Sequence, residues 1–171
     1  LYLCLDNETY ITEFITKTGP QPLVVNEALH PVSDREIMEI IREKNAPSII
    51  TEEHFSYIAT ACPSLPFDLI DKVQKGLSCS GNAFILILTP CPTGWIFPPR
   101  FSKQIGLAAI QTGYFPLYER DANGLRLTTR ASAQRKPLQQ YLALQKRFFT
   151  LPADLIPRFQ DAVDQFYDEF L

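Results

Sequence analysis

The sequence has little of what marks nucleic-acid-binding or membrane-spanning proteins. It carries 16 Lys and Arg against 19 Asp and Glu, a net charge of −3, and its basic residues form no cluster. This excludes the basic surface that nucleic acids require. The longest apolar run, Ala83 to Leu88, is far shorter than the roughly 20 residues of a membrane span, and no basic segment with a cleavage site marks a secretory signal. We therefore expect a cytoplasmic protein without nucleic-acid or membrane partners.

Zinc sites and histidine-dependent catalysis are also poorly supported. The chain has four cysteines and two histidines, and no two cysteines form a CxxC pair, so neither a zinc ribbon nor a dithiol redox centre can form locally. His30 and His54 both lie in loop-like sequence. Cys4 lies in an apolar strand pattern and Cys62 precedes a proline, so both are predicted to be buried small side chains.

What the sequence does contain is an alternation of strand and helix patterns. A hydrophobic fraction of 46% in 171 residues suits one globular domain with a complete core. We predict an α/β fold with a mostly parallel sheet flanked by helices. The predicted strands are "LYLCLD", "SYIATA" and "NAFILIL". Each is followed by a predicted helix, and these helices are "VSDREIMEIIREKN", "PFDLIDKVQKGL" and "FSKQIGLAAIQTG".

Several helix and turn boundaries can be predicted from short-range signals. Ser33 and Glu36 form a capping box before the first helix, Pro66 suits a first helical position, and Gly113 suits a left-handed helix end. The Asn123–Gly124 pair in "DANG" predicts a β-hairpin. We therefore expect an antiparallel pair of strands after the parallel part of the sheet.

The two ends of the sequence carry further expectations. The run "LYLCLDNETY" is typical of a buried parallel strand with neighbours on both sides, so we expect the sequence to be the C-terminal part of a longer chain. Near the other end, "PLQQYLALQKRF" and "ADLIPRFQDAVDQFYDEFL" show helical spacing. Pro157 must lie in the first turn of the second helix or kink it, and the aromatic face of that helix packs on its own domain or on a partner subunit. We assign residues 1–115 to a partial α/β domain and 116–171 to a hairpin and helical extension packed on it.

Two segments carry side chains suited to chemistry. Cys91 lies between Pro90 and Pro92 directly after an apolar strand, at a sheet edge where sites of α/β proteins form. Asp6 and Asn7 end the opening strand, and their oxygen atoms suit a hard cation such as Mg²⁺. The simpler alternative for these two residues is that their side chains only form turn hydrogen bonds.

Five stretches together resemble one enzyme family. They are similar to the thiamine-diphosphate-binding β subunit of pyruvate:ferredoxin oxidoreductase and related 2-oxoacid:ferredoxin oxidoreductases. The resemblance implies the C-terminal half of a thiamine-diphosphate-binding fold. It runs in order over most of the chain, through "LYLCLDNETY", "YIATACPSLPFDLIDKVQKG", "ILTPCPTGW", "IGLAAIQTGYFPLYE" and "KPLQQYLALQKRF".

The resemblance implies specific cofactor ligands. Asn7 would offer its side-chain oxygen and Thr9 its backbone carbonyl to Mg²⁺, while Asp6 and Thr12 would lie against thiamine diphosphate. Where the family often has Asn-Thr-Gly after the tyrosine, this sequence reads Ile11–Thr12–Glu13, which is a departure from the pattern.

By the same resemblance, Cys91 would be the fourth thiolate of a 4Fe–4S cluster whose other three thiolates come from near the subunit's N-terminus. Pro90 and Pro92 would fix the backbone on both sides of that ligand. Trp95 would exclude water and influence the cluster potential.

The implied reaction is oxidative decarboxylation of a 2-oxoacid, pyruvate first, with coenzyme A. Its products are an acyl-CoA, CO₂ and electrons passed to ferredoxin or flavodoxin. Partner subunits of the α, γ and δ types would complete the enzyme, so we expect this part of the chain to be inactive alone. Two alternatives stay open: a scaffold subunit that kept the fold but lost activity, and a thiamine-dependent decarboxylase or synthase without iron.

Overall fold

The computed structural model describes residues 1–8, 33–45, 54–129, 135–149 and 151–170 of the chain. Its strands are β1 (Tyr2–Asp6), β2 (Tyr57–Ala61), β3 (Ala83–Leu88), β4 (Tyr118–Asp121) and β5 (Gly124–Leu127). Its helices are α1 (Asp34–Asn45), α2 (Pro66–Ser78), α3 (Pro92–Trp95), α4 (Ser102–Gln111), α5 (Gln139–Leu142) and α6 (Leu155–Phe170), with 3₁₀ turns at Pro99–Phe101 and Lys146–Phe148. This arrangement confirms the predicted α/β class.

The strands form one sheet in the order β1-β3-β2-β4-β5. The strand β3 pairs in parallel with β1 on one side and with β2 on the other, as its continuous apolar sequence predicts. The strands β4 and β5 add an antiparallel hairpin beside β2. Gly124 in the hairpin turn has φ 100°, a conformation that favours glycine. The hairpin therefore extends the same sheet.

Helices cover both faces of the sheet. One face packs against α2 through Leu69 and Val73. The other face packs on a larger cluster with apolar residues from three helices, namely Ile37 and Ile41 of α1, Ile105 and Ala109 of α4, and Phe159, Val163 and Phe166 of α6. The apolar face of α6 therefore packs on the chain's own domain. This was one of the two possibilities that the sequence left open, the other being a partner subunit.

The predicted helix boundaries are confirmed where the structure describes them. The Ser33 amide donates to Glu36 Oε2 at 2.7 Å, and the Glu36 amide donates to Ser33 Oγ at 3.3 Å. The helix α2 begins at Pro66, Gly113 has φ 77° after α4, and Pro157 lies in the first turn of α6. Across the described residues, no helix combines the length and apolar character needed to cross a lipid bilayer.

The opening strand pairs in parallel as predicted, but it is exposed rather than buried in the part of the sheet that the structure describes. Tyr2, Leu3 and Leu5 are 59%, 50% and 67% exposed, and Cys4 is exposed as well. The physical reason is that β1 is the edge strand of the described sheet and pairs with β3 alone. By contrast Cys62, at the end of β2, is fully buried as predicted.

The predicted helix over "PLQQYLALQKRF" is much shorter in the structure. Only the single turn α5 and the 3₁₀ turn at Lys146–Phe148 form there. Between them, Gln145 adopts an extended conformation with φ −134° and ψ 125°, so the helical hydrogen-bond pattern stops. The Gln145 side chain is fully buried. It contributes to the packing of the candidate site described below.

Candidate functional site

The two segments singled out from sequence start at neighbouring points of one sheet edge. Asp6, the last residue of β1, is paired with Leu88, the last residue of β3. Beyond that pair, Thr89 donates its amide and its hydroxyl to the Asp6 carbonyl at 2.7 and 3.0 Å. Because both parallel strands end here, the segments that follow them leave the sheet side by side.

The first segment is a tight turn. Asp6 Oδ1 accepts a hydrogen bond from the Glu8 amide at 2.9 Å, which is the turn role considered from sequence. Glu8 has φ 48°, a left-handed conformation uncommon for residues other than glycine. Thr9 and Thr12 lie outside the described residues, so their predicted contacts with the cofactor and Mg²⁺ stay predictions.

The second segment places Cys91 at the start of a helical turn. Cys91 is the N-cap residue of α3, and its Sγ accepts a hydrogen bond from the Gly94 amide at 3.3 Å. The residue is partly exposed at the border of the larger core cluster. Pro92 occupies the first helical position and Ile96 ends the turn with φ 55°, so the backbone around the sulfur is tightly constrained.

Trp95 joins the two segments. Its side chain is fully buried, and its indole N–H donates to the backbone carbonyl of Asn7 at 2.6 Å. The Cys91 turn is therefore fixed against the Asp6–Glu8 turn by a direct hydrogen bond. The structure brings Asp6, Asn7 and Cys91 to one sheet edge, while their roles as ligands remain predictions.

Sequence reasoning missed Arg147 at this site. The guanidinium carbon lies 4.0 Å from the centre of the Trp95 ring, and Nη2 donates to Glu8 Oε2 at 2.6 Å. The residue is 3% exposed. The signal was present, because Arg147 is the last but one residue of the stretch "KPLQQYLALQKRF" that carries the resemblance. An arginine is usually solvated, however, and 139 residues separate Arg147 from Glu8.

The donor atoms at this edge fit part of a cofactor site. Among the described residues, no three His, Cys, Asp or Glu side chains gather as a metal site. Cys91 offers one sulfur that already accepts an amide N–H, as thiolate ligands of iron–sulfur clusters commonly do. Asp6 and Asn7 offer carboxylate and amide oxygens, the donors that Mg²⁺ prefers. These residues therefore suit sites to which this chain contributes one or two ligands and other parts of the protein contribute the rest.

Comparison with known proteins found several similar subunits, although no family model matches the sequence. The chain is 38% identical over 165 residues to the pyruvate synthase subunit PorB of Methanocaldococcus jannaschii, covering 96% of this chain and 55% of that protein. It is 36% identical to PorB of Methanothermobacter thermautotrophicus, covering 99% and 58%. The ketoisovalerate oxidoreductase subunit VorB of Pyrococcus furiosus is 33% identical, with 86% and 48% covered.

The two PorB similarities extend over nearly the whole chain, and the VorB similarity extends over 86% of it. The chain spans about half the length of the curated relatives it matches. The resemblance predicted from five short stretches is thus confirmed. The chain belongs to the family of PorB and VorB subunits, the β subunits of 2-oxoacid:ferredoxin oxidoreductases.

Proposed function

We propose that the protein containing this chain is the β subunit of a coenzyme A-dependent 2-oxoacid:ferredoxin oxidoreductase that acts on pyruvate. The observation that carries this proposal is the hydrogen bond from Trp95 to Asn7. It links the turn that holds the candidate cluster ligand to the turn that holds the candidate Mg²⁺ ligand. Pyruvate is favoured because the PorB relatives at 38% and 36% identity are pyruvate synthase subunits.

At this edge the chain would hold part of two cofactors. When bound, thiamine diphosphate supplies the carbanion chemistry of 2-oxoacid decarboxylation, and a 4Fe–4S cluster takes electrons away singly. The Asn7 side chain and the Thr9 carbonyl would bind Mg²⁺, and Asp6 and Thr12 would lie against the cofactor. Hard oxygen donors of this kind match the usual coordination of a diphosphate-bound magnesium ion.

Cys91 would supply one thiolate of the cluster. The Gly94 amide already donates to its sulfur, and hydrogen bonds to the ligand sulfurs are one of the factors that set the potential of an iron–sulfur cluster. Trp95, fully buried beneath the turn, keeps water from that side and thereby influences the reduction potential. The other three thiolates would come from protein outside the described residues.

The remaining partners follow from the proposed reaction. The subunit would assemble with subunits of the α, γ and δ types, bind coenzyme A and a 2-oxoacid in that complex, and deliver electrons to ferredoxin or flavodoxin. We place this complex in the cytoplasm, as predicted from sequence. Residues 116–171 would act as an extension packed on the α/β part rather than as a separate unit.

The test uses the full-length subunit assembled with its partners. We expect the complex to bind thiamine diphosphate with Mg²⁺ and to contain iron, and we expect Cys91→Ser to lower iron per complex and the broad absorption near 400 nm. The matched control is Cys79→Ser, because Cys79 only donates to the Gly76 and Gly81 carbonyls at 3.3 Å each. Unchanged iron in Cys91→Ser would contradict the ligand assignment.

A turnover measurement on the complex distinguishes the proposed oxidoreductase from the two alternative functions. A complex that oxidises pyruvate with coenzyme A and reduces an artificial acceptor excludes the inactive scaffold subunit. That alternative was suggested by Ile11–Thr12–Glu13, which departs from the family pattern. A complex that binds thiamine diphosphate but contains no iron would instead favour a decarboxylase or synthase. Comparison of pyruvate with 2-ketoisovalerate decides which 2-oxoacid is preferred.

A further inference from the structure

Arg147 is held by five contacts in the interior of the protein. Its Nε donates to Gln145 Oε1 at 2.7 Å, and its Nη2 donates to the Tyr141 hydroxyl at 3.0 Å and to Glu8 Oε2 at 2.6 Å. Its guanidinium also lies over the rings of Trp95, at 4.0 Å, and of Phe148, at 4.5 Å. These hydrogen bonds and ring contacts together restrict the position of the guanidinium group.

The charge of Arg147 is balanced by Glu8. Burial raises the pKa of the Tyr141 hydroxyl, which therefore accepts from Arg147 as a neutral group, and Gln145 is neutral as well. The carboxylate of Glu8 is only 10% exposed. Because a buried cation without a counter-charge is strongly unfavourable, the guanidinium fixes where the Glu8 side chain must lie.

Fixing Glu8 constrains the residue before it. Glu8 adopts φ 48° and its amide is tied to Asp6 Oδ1 at 2.9 Å. The carbonyl of Asn7 receives the indole N–H of Trp95 at 2.6 Å, and that indole is the ring against which Arg147 stacks. Arg147 therefore contacts both Glu8, which follows Asn7 in the chain, and Trp95, which donates to the Asn7 carbonyl.

We infer that Arg147 is a positioning residue that sets the orientation of Asn7 for Mg²⁺ and thiamine diphosphate, acting through Glu8 and Trp95. This inference rests on the proposed function, since Asn7 is the candidate ligand. It assigns a role in the site to the segment Tyr141–Phe148, which reaches the sheet edge from the C-terminal part of the chain. Groups that orient a metal ligand without touching the metal typically change metal affinity roughly 10- to 100-fold when they are replaced.

The experiment measures Mg²⁺ affinity in the full complex at saturating thiamine diphosphate, for example by calorimetric titration. Arg147→Lys keeps the positive charge but loses the planar fork that contacts several partners at once. Glu8→Gln keeps the size of the side chain and removes its charge. We expect each variant to weaken Mg²⁺ binding roughly 10- to 100-fold, with occupancy restored at high Mg²⁺. We expect iron content to stay at the wild-type value.

A double variant and a control sharpen the test. Because Arg147 acts through Glu8, Glu8→Gln combined with Arg147→Lys should weaken Mg²⁺ binding by much less than the product of the two single effects. Arg158→Gln is the matched control, because Arg158 pairs at 2.6 Å with Asp34, whose side chain is 84% exposed. It should leave the Mg²⁺ affinity unchanged.

The outcomes separate this inference from the proposed function. If the wild-type complex binds no thiamine diphosphate or Mg²⁺, the proposed function fails and takes the inference with it. If the wild type binds both and the variants bind Mg²⁺ equally well, only the inference is overturned. Loss of iron together with Mg²⁺ affinity in Arg147→Lys would indicate general damage to the sheet edge and would also overturn it.

Discussion

The indole N–H of Trp95 donates to the backbone carbonyl of Asn7 at 2.6 Å across 88 residues of sequence. This hydrogen bond connects the ends of two parallel strands that already share the Asp6–Leu88 pair. Because Trp95 is fully buried, the packing around its ring holds the donor of this bond in place. The bond therefore makes the two turns of the candidate site one rigid unit.

Replacing Trp95 by phenylalanine should loosen the turn after β1. The substitution keeps an aromatic ring but removes the donor to the Asn7 carbonyl, at a cost of about 0.5–1.5 kcal/mol. We expect faster amide hydrogen exchange in the segment Tyr2–Glu8 of the full-length subunit, measured by mass spectrometry. Phe97→Leu, which removes ring volume from the same core, is the control. Equal exchange of that segment in both variants would contradict a specific role for the bond.

Much of the fold could be predicted because local signals agree with the final packing. The apolar run Ala83–Leu88 forms the strand with parallel neighbours on both sides, and the capping box of Ser33 and Glu36 begins α1 where expected. The exposure of β1 in the described part of the sheet could not be predicted in this way. Strand periodicity indicates which residues share a face, but it does not say whether a strand has one neighbour or two.

The candidate site could be predicted only in part. Cys91 and Asn7 each follow a strand, so their place at the sheet edge follows from parallel topology. Arg147 comes to the site because Gln145 breaks the helical pattern with an extended backbone. A break of this kind depends on tertiary contacts that local propensity does not contain, so the pattern "PLQQYLALQKRF" predicted a longer helix than the one observed.

Gly106→Ala should destabilise the protein even though alanine is the better helix former. In an exposed helix the exchange would gain about 1 kcal/mol. A Cβ at Gly106 of α4 would lie 2.1 Å from Ser64 Oγ and 2.8 Å from Cys62 Sγ, so the helix would have to move off the end of β2. We expect a loss of about 1–3 kcal/mol in urea unfolding of the full-length subunit. In a Ser64→Gly background the loss should become smaller but not vanish, because the 2.8 Å contact with Cys62 Sγ remains. An unchanged loss there would rule out the clash with Ser64.

Lys72→Met should be costly because the ammonium group is fully buried and fully bonded. Lys72 is 0% exposed, and its Nζ donates at 2.7 Å each to the Thr60 carbonyl, Asp68 Oδ2 and Thr128 Oγ1. Removing one partner of a buried ion pair costs roughly 3 kcal/mol or more, and Asp68→Asn in the same chain should recover part of it. The control Arg35→Met breaks an exposed pair with Glu39 and should cost less than about 1 kcal/mol. Similar losses for the two single variants in urea unfolding would contradict this reasoning.

Tyr118→Phe should flatten the loss of stability at alkaline pH. Burial raises the pKa of the Tyr118 hydroxyl from 10.0 to about 12, with Arg120 opposing the shift. The unfolded state therefore releases this proton at lower pH than the folded state, so the stabilising contribution is complete below pH 10 and is lost as the pH rises from 10 to about 12.

In that window the slope of unfolding free energy against pH should become less steep in Tyr118→Phe, by up to about 1.4 kcal/mol per pH unit, the value for one proton. The measurement is urea unfolding of the full-length subunit at several pH values between 9 and 12. Tyr2→Phe, at a side chain 59% exposed, is the control and should keep the wild-type slope. The same slope in wild type and Tyr118→Phe would show that this hydroxyl titrates alike in the folded and unfolded states.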